Sequence, residues 1–201
     1  SDMPSSADKL RAECIYGGGT SWSGDEYMNY LHGAAPTYNL YTYDDEDGNS
    51  IFCVDVADTG GDTSGNELKT CRTLDDRLKK GDTALVKIVF RIRDAENESG
   101  LGKIAVGVEE WYVGGKFAYQ ELSAGEDWVT AYVPYESYKV DGSKCFVSVY
   151  TSFMKQKVDI KELSVMCYGT EVKPAELPHS INNVELVREC TTPNLEWRNK
   201  A

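Results

Sequence analysis

Histidine is scarce in this chain, and the cysteines avoid close spacing. His32 and His179 are the only histidines in 201 residues, and none of the six cysteines stands in a Cys-x-x-Cys pair. That excludes the usual ligand spacing of a structural zinc site. Neither a Gly-x-Ser-x-Gly elbow nor a Ser/His/Asp grouping is present, so hydrolytic serine chemistry has no motif to rest on. Basic residues are also in deficit: 21 Lys and Arg against 33 Asp and Glu give a net charge of −12. Such a balance cannot neutralise a phosphate backbone and is repelled by anionic lipid, so nucleic acid and membrane are excluded as partners. No apolar run approaches the ~18 residues of a membrane span. The best stretch, 84–92, already contains Lys87 and Arg91. The chain opens on Ser1 with no initiator Met or signal-peptide pattern, and is read as a processed or excised piece.

Helical periodicity is nearly absent as well. Only 5–13, the 67–80 segment and a tail fragment could form short helices. What is present is apolar–polar alternation, recurring between turn signals, with 41% hydrophobic residues to build a core. The clearest strand is 83–93: Val86, Ile88, Phe90 and Ile92 share one face, and Lys87, Val89, Arg91 and Arg93 the other. Lys80-Gly81-Asp82 is the turn before it. Strands 103–113 and 116–122 flank Gly114-Gly115, which reads as a two-residue hairpin loop. That loop pairs Glu109 with Gln120 and Trp111 with Ala118, on a face opposite to Ile104, Val106 and Val108. It also puts Tyr112, Phe117 and Tyr119 on the core side. Further strands are expected at 128–134, 144–151 and 158–168, the last two carrying Cys145 and Cys167. In 145–151, Val147 and Val149 point inward, and Phe146, Ser148 and Tyr150 outward. Upstream, 38–43 and 50–56 flank Asp47-Gly48, a second hairpin signal, with Tyr41 and Tyr43 on one face. Eight or nine strands predict an all-β, two-sheet antiparallel β-sandwich of jelly-roll type. Residues 1–170 form that domain; 171–201 read as a linker, with Lys173-Pro174-Ala175-Glu176-Leu177-Pro178 at its start, plus an edge strand packed on the same domain.

The even cysteine count in an acidic, tyrosine-rich chain points to an oxidising compartment and a secreted or cell-surface location. Cys14–Cys190 and Cys53–Cys71 are the expected pairs, while Cys145 and Cys167 read equally well as buried thiols.

Several segments from Gly81 onward stand in a familiar order. Lys80-Gly81-Asp82 leads a long strand ending in Arg91 and Arg93. A Val/Gly-rich strand, Ile104-Ala105-Val106-Gly107-Val108, follows. Next comes a Trp-opened strand, Trp128-Val129-Thr130-Ala131-Tyr132-Val133-Pro134-Tyr135, then Val147-Ser148-Val149 and Ile160-Lys161-Glu162-Leu163-Ser164-Val165. Over about 50–168 this order resembles the family 4/9-type carbohydrate-binding modules. The resemblance implies a jelly roll that binds a β-linked plant polysaccharide, xylan or β-glucan, without catalysis. It also implies a covalently linked glycoside hydrolase or other enzyme module as partner. In the resembled modules the Trp128 position is a core ring, and one structural calcium ion is common. The acidic turn carries the candidate ligands Asp44, Asp45 and Asp47, hard oxygens suited to that ion.

The residues themselves suggest the same chemistry. A pyranose offers an apolar C–H face to an aromatic ring and hydroxyls to planar polar side chains. Trp111 beside Glu109 and Gln120, over a floor of Ala105, Gly107 and Ala118, is the expected ligand-binding constellation. Arg91, Tyr150, Trp22 and Tyr27 are further candidates. Glu109 and Glu110, adjacent on a strand, point to opposite faces and cannot together flank a scissile bond. The Glu-x-Asp-x-x-Glu signature of jelly-roll glucanases is missing. Two other functions fit the same composition: a protein-binding adhesin or scaffold domain, and a polysaccharide lyase or hydrolase with an unrecognised carboxylate pair.

Overall fold

The computed structural model describes residues 13–16, 28–31, 37–60, 65–74, 78–111, 115–138, 144–178 and 184–190, with side chains for 38–60, 74, 78–110, 119–138 and 145–178. Twelve strands make up almost all of it: β1 (Glu13–Tyr16), β2 (Met28–Leu31), β3 (Thr37–Asp44), β4 (Ser50–Asp58), β5 (Gly65–Thr73), β6 (Thr83–Arg93), β7 (Gly102–Trp111), β8 (Gly115–Ala124), β9 (Val129–Glu136), β10 (Lys144–Ser152), β11 (Gln156–Cys167) and β12 (Val184–Cys190). They form an antiparallel two-sheet sandwich. Sheet A runs β3-β4-β11-β6-β9, with β1 also pairing β11; sheet B runs β12-β8-β7-β10-β5-β2. Among the described residues no helix is long and apolar enough to cross a membrane.

The alternation read in the sequence builds the core. Val86, Ile88, Phe90 and Ile92 of β6 meet Val158, Ile160, Leu163 and Val165 of β11 on the inner side of sheet A. Ile104, Val106 and Val108 of β7 and Val147 and Val149 of β10 face them from sheet B. Burial of this apolar area is the main favourable term holding the sheets together. Gln156 bridges the sheets: its Nε2 donates to the Lys103 and Thr151 carbonyls at 2.7 and 2.6 Å, and its Oε1 accepts from the Lys103 N–H at 3.0 Å. Gly102 makes room for this. A Cβ there would lie 2.3 Å from Ile92 Cγ2 and 2.5 Å from Gln156 Oε1. Gly102→Ala is therefore expected to cost about 1–3 kcal/mol through overpacking, read as a lowered midpoint of thermal unfolding.

Several sequence expectations change. The 67–80 segment, rich in Leu, Lys and Arg, forms β5 over its first part instead of a helix, because pairing with β10 and β2 outweighs intrinsic propensity. Cys53 is a free, buried thiol on sheet A, so it does not pair with Cys71 of sheet B. Cys145 and Cys167 stand outside any disulfide, as one of their two readings has it. The side chains of Cys14, Cys71 and Cys190 lie outside the described residues.

The largest change is the β7–β8 register. Glu109 pairs with Phe117, Gly107 with Tyr119, and Val106 with Gln120. The expected pairing was three positions away, an odd shift, and an odd shift turns every β8 side chain to the other face relative to β7. Beyond the β8 edge, β12 adds antiparallel to β8. Val172 and Leu177, flanking a short 3-10 turn at Pro174–Glu176, pack with Leu85, Tyr132 and Tyr168 over one end of the outer side of sheet A. The other end of that side carries the half-buried side chains of Tyr41, Tyr43, Arg91 and Arg93.

Candidate functional site

Outer faces of antiparallel sheets are ordinarily solvated and polar. Sheet B departs from this. Its outward row comprises Ala105, Gly107 and Glu109 on β7, Tyr119 on β8, and Phe146, Ser148 and Tyr150 on β10, all buried. The outward set on β10 is the one that alternation predicts. Tyr119, by contrast, was expected on the core side and is outward, because of the register shift. Tyr119 and Tyr150 approach to 5.0 Å between ring centroids, tilted by 47°. They flank β7 and pack with Ala105 and Phe153, so the expected open floor is filled at this end. Lys103 closes over Phe153, its Nζ 4.6 Å from the ring centroid.

Farther along the row, Glu109 pairs with Phe146 and Gly107 with Ser148. The Ser148 hydroxyl is buried and, among the described residues, has no hydrogen-bond partner. A buried orphan hydroxyl forfeits a water interaction without recompense, and so asks for an explanation.

Glu110 points the other way. Its carboxylate accepts from the hydroxyls of Tyr135 and Ser137 (the latter at 2.9 Å) and from the Tyr138 N–H at 2.7 Å. Glu109 and Glu110 thus stand on opposite faces, as alternation requires, and do not form a catalytic pair.

Gln120 does not join Glu109. It sits opposite Val106, on the face turned toward sheet A. Arg91 is in the other sheet, since β6 pairs with β11 and β9 and not with β7. Trp111 pairs with Lys144 at the end of β7, and its side chain lies outside the described residues. Trp22 and Tyr27 lie outside them altogether.

At the other end of the outer side of sheet A, Asp159 is the hub. Its fully buried carboxylate accepts from Arg91 Nε at 2.8 Å, from Arg93 Nε at 2.7 Å and Nη2 at 3.0 Å, and from the Tyr43 hydroxyl at 2.8 Å. Burial opposes its ionisation, but the bonds from Arg93, Arg91 and Tyr43 outweigh that and hold the carboxyl below its usual range. The same partnership, after burial, raises the Tyr43 phenol. Cys53 nearby is pushed up to about 11, mainly by burial. The register explains the cluster: Asp159 faces Arg91 across β11–β6 and Cys53 across β11–β4. A carboxylate inside the apolar run of β11, level with two alternating arginines on β6, was the sequence signal for this hub.

Trp128, expected in the core, lies half-buried on this outer side instead. Arg91 stands 4.6 Å and Lys161 4.1 Å from its ring centroid. A register shift in β11 between Ile160 and Glu162 makes Lys161 an extra residue between inward Ile160 and inward Leu163. Such a bulge re-aims a side chain, here toward Trp128.

The acidic turn is held by its own hydrogen bonds. Asp45 organises the turn itself: its Oδ1 accepts from the N–H groups of Asp47 and Asn49 at 3.0 and 2.8 Å, and its Oδ2 from the Asn49 side chain at 3.0 Å. The Asn49 bond leads in lowering the Asp45 carboxyl from its ordinary value. Among the described residues no group of three or more His, Cys, Asp or Glu side chains is placed to hold a metal, so Asp44, Asp45 and Asp47 do not converge on one ion.

No family model matches the chain, and no curated protein matches it. Solved structures do share its architecture. The CBM22-1 xylan-binding domain of Paenibacillus barcinonensis Xyn10C superposes with a TM-score of 0.54 at 11% identity, over 79% of this chain and 96% of that one. The xylan-binding domain from CBM 22 gives 0.53 at 16% identity, over 78% and 96%. A CBM4 structure gives 0.51 at 16%, over 71% and 87%. The sandwich implied by the resemblance is therefore the fold observed. The neighbours span CBM22 and CBM4, so the likeness does not single out the 4/9 type.

Proposed function

We propose that this chain is a non-catalytic carbohydrate-binding module that takes a β-linked plant polysaccharide, xylan or β-glucan, on the outer side of sheet B. One observation carries the reading: that face bears aromatic rings, a carboxylate and an unpartnered hydroxyl where an ordinary outer face is solvated and polar. The fold supports it, being shared with domains described as xylan-binding. In the proposed arrangement Trp111, two residues beyond Glu109 on β7, supplies the stacking plane. Glu109 and Ser148 receive sugar hydroxyls, and Tyr119 and Tyr150 form the rigid aromatic wall at the closed end. Because Glu109 and Ser148 lie below the surface, ligand entry includes displacement of whatever covers them.

The biological consequence proposed is local concentration. A secreted or cell-surface module, joined covalently to a glycoside hydrolase or similar enzyme, raises the effective concentration of that enzyme at its substrate. The opposed directions of Glu109 and Glu110 support a role without bond cleavage.

Affinity electrophoresis in gels containing xylan, mixed-linked β-glucan or an α-linked glucan tests the proposal. Retardation by a β-linked glycan and not by the α-glucan is expected; free migration in every gel would overturn it. Ser148→Ala separates binding from folding. Removing an orphan buried hydroxyl leaves the unfolding midpoint unchanged or raised, while affinity falls roughly five- to tenfold, the net worth of about one hydrogen bond.

A further inference from the structure

The outer side of sheet A has features that a purely structural ion-pair network does not need. Arg91 uses Nε on Asp159 and Nη2 on the Tyr43 hydroxyl (3.1 Å), while Arg93 uses Nε and Nη2 on Asp159. Arg93 also partners the Tyr41 hydroxyl, and its Nη2 lies 3.8 Å from Cys53 Sγ. Among the described residues Arg91 Nη1 has no acceptor, and both guanidinium side chains are 28% exposed. Trp128 holds Arg91 and Lys161 in place from below. Among the described residues, the ion pair of Lys161 is a 3.9 Å approach to Asp45. Arg91, Arg93 and Lys161 against Asp159 and Asp45 leave one surplus positive charge, in a chain whose total is −12. At the flanks Lys87 pairs with Glu162, and Lys157 faces both Asp94 and Asp55, so the positive charge is concentrated at the centre and the carboxylate that balances it, Asp55, stands at the edge. Beside it, the half-buried rings of Tyr41 and Tyr43 lie 6.4 Å apart, tilted by 38°.

The geometry points to a second binding site here, for a sugar that bears a carboxylate: a uronic acid unit of an acidic glycan. Arg91 Nη1 and Lys161 Nζ are the donors for the carboxylate, with the Arg93 guanidinium adding its charge beside them, since guanidinium groups suit carboxylate geometry. Tyr41 and Tyr43 offer the apolar shelf for the ring's C–H face. The existing carboxylate, Asp159, is sunk beneath the guanidiniums and orients them before the ligand arrives, which limits the ordering cost of binding. A neutral pyranose gains little from this cluster. The aromatic shelf beside the cations favours a sugar over an acidic peptide. The site is on the opposite sheet from the one proposed for neutral polysaccharide, so the two can be separated experimentally.

The probe is a xylo-oligosaccharide bearing a glucuronic acid branch, compared by calorimetry with the same oligosaccharide after reduction of its carboxyl group, and with polyglutamate as a second control. Wild type is expected to bind the acidic form at least tenfold more tightly than the reduced form, with the difference shrinking as salt is raised. Lys161→Gln, on a bulge and remote from the core, and Arg91→Gln are each expected to remove most of that difference. Trp111→Ala is expected to preserve it while losing neutral xylan, and Lys161→Gln to retain neutral xylan binding. Equal affinity for acidic and reduced forms would overturn the inference. So would a carboxyl-dependent difference that survives in both Lys161→Gln and Arg91→Gln, or polyglutamate binding as tight as the acidic sugar. Failure of wild type to bind neutral xylan would count against the sheet B reading alone.

Discussion

Trp111→Ala is expected to weaken binding of neutral β-linked polysaccharide roughly thirtyfold or more, with the chain still folded. Buried aromatic anchors at binding sites commonly cost about 2 kcal/mol or more on truncation, and each 1.4 kcal/mol is about tenfold in affinity. Here the arithmetic is asymmetric. Glu109 and Ser148 contribute hydrogen bonds whose net worth is near 1 kcal/mol each, because water already served the sugar hydroxyls. A flat ring offers contact area at little entropic cost, so the larger share falls to the indole. Titration calorimetry of both proteins with one oligosaccharide, alongside circular dichroism and the unfolding midpoint, checks this. Unchanged affinity in the variant would remove Trp111 from the site. A parallel fall in midpoint and affinity would assign it to packing.

Asp159→Ala is expected to be the most destabilising single change on the outer side of sheet A. Asp159 is fully buried, and removing it leaves two guanidiniums without their shared acceptor. Breaking a buried pair costs about 3–5 kcal/mol. The arginines are partly exposed and can be rehydrated, which places the loss near the lower end, about 3 kcal/mol. For a chain of this size that is roughly 6–12 °C in the unfolding midpoint. The pH dependence follows from the same group. Its carboxyl titrates lower in the folded chain than in the unfolded one, where it ionises near pH 3.9. The folded state therefore gains this stabilisation in full above about pH 4, and loses it as pH falls through the lower folded value. A series of melts from pH 7 to pH 2 should show the wild-type midpoint falling in that window, with a shallower fall in Asp159→Asn.

The parts of this fold legible in the sequence are those governed by a period of two. β6 and β10 were read correctly on both faces because their inward Val, Ile and Phe residues alternate with residues that, Val89 apart, are polar or aromatic. The opposition of Glu109 and Glu110 followed from the same rule. Register between strands is a different matter, because alternation fixes which residues of one strand share a face but not how neighbouring strands are phased. Gly114-Gly115 resembles a two-residue turn, yet β7 ends at Trp111 and β8 begins at Gly115. That single difference removed Gln120 from the expected constellation and put Tyr119 into the outer row. Arg91 was correctly assigned to the non-core face of its strand, but which sheet that strand belongs to depends on long-range pairing. The bulge at Lys161 left no local mark, and with it the Lys161–Trp128 contact was invisible; Trp128 in turn was expected in the core on its strand-opening position. Asp45 was singled out for its charge, whereas its role is to satisfy the backbone of its own turn.

Backbone amide resonances followed during titration with a β-1,4-xylo-oligosaccharide, and separately with a mixed-linked β-gluco-oligosaccharide, test the central claim most directly. The expected result is saturable shifts concentrated in the middle of β7, β8 and β10, at Gly107 to Trp111, Tyr119 and Phe146 to Tyr150, with the β6–β11 amides around Asp159 unmoved. Shifts confined to sheet A, or no shift with either glycan, would contradict it.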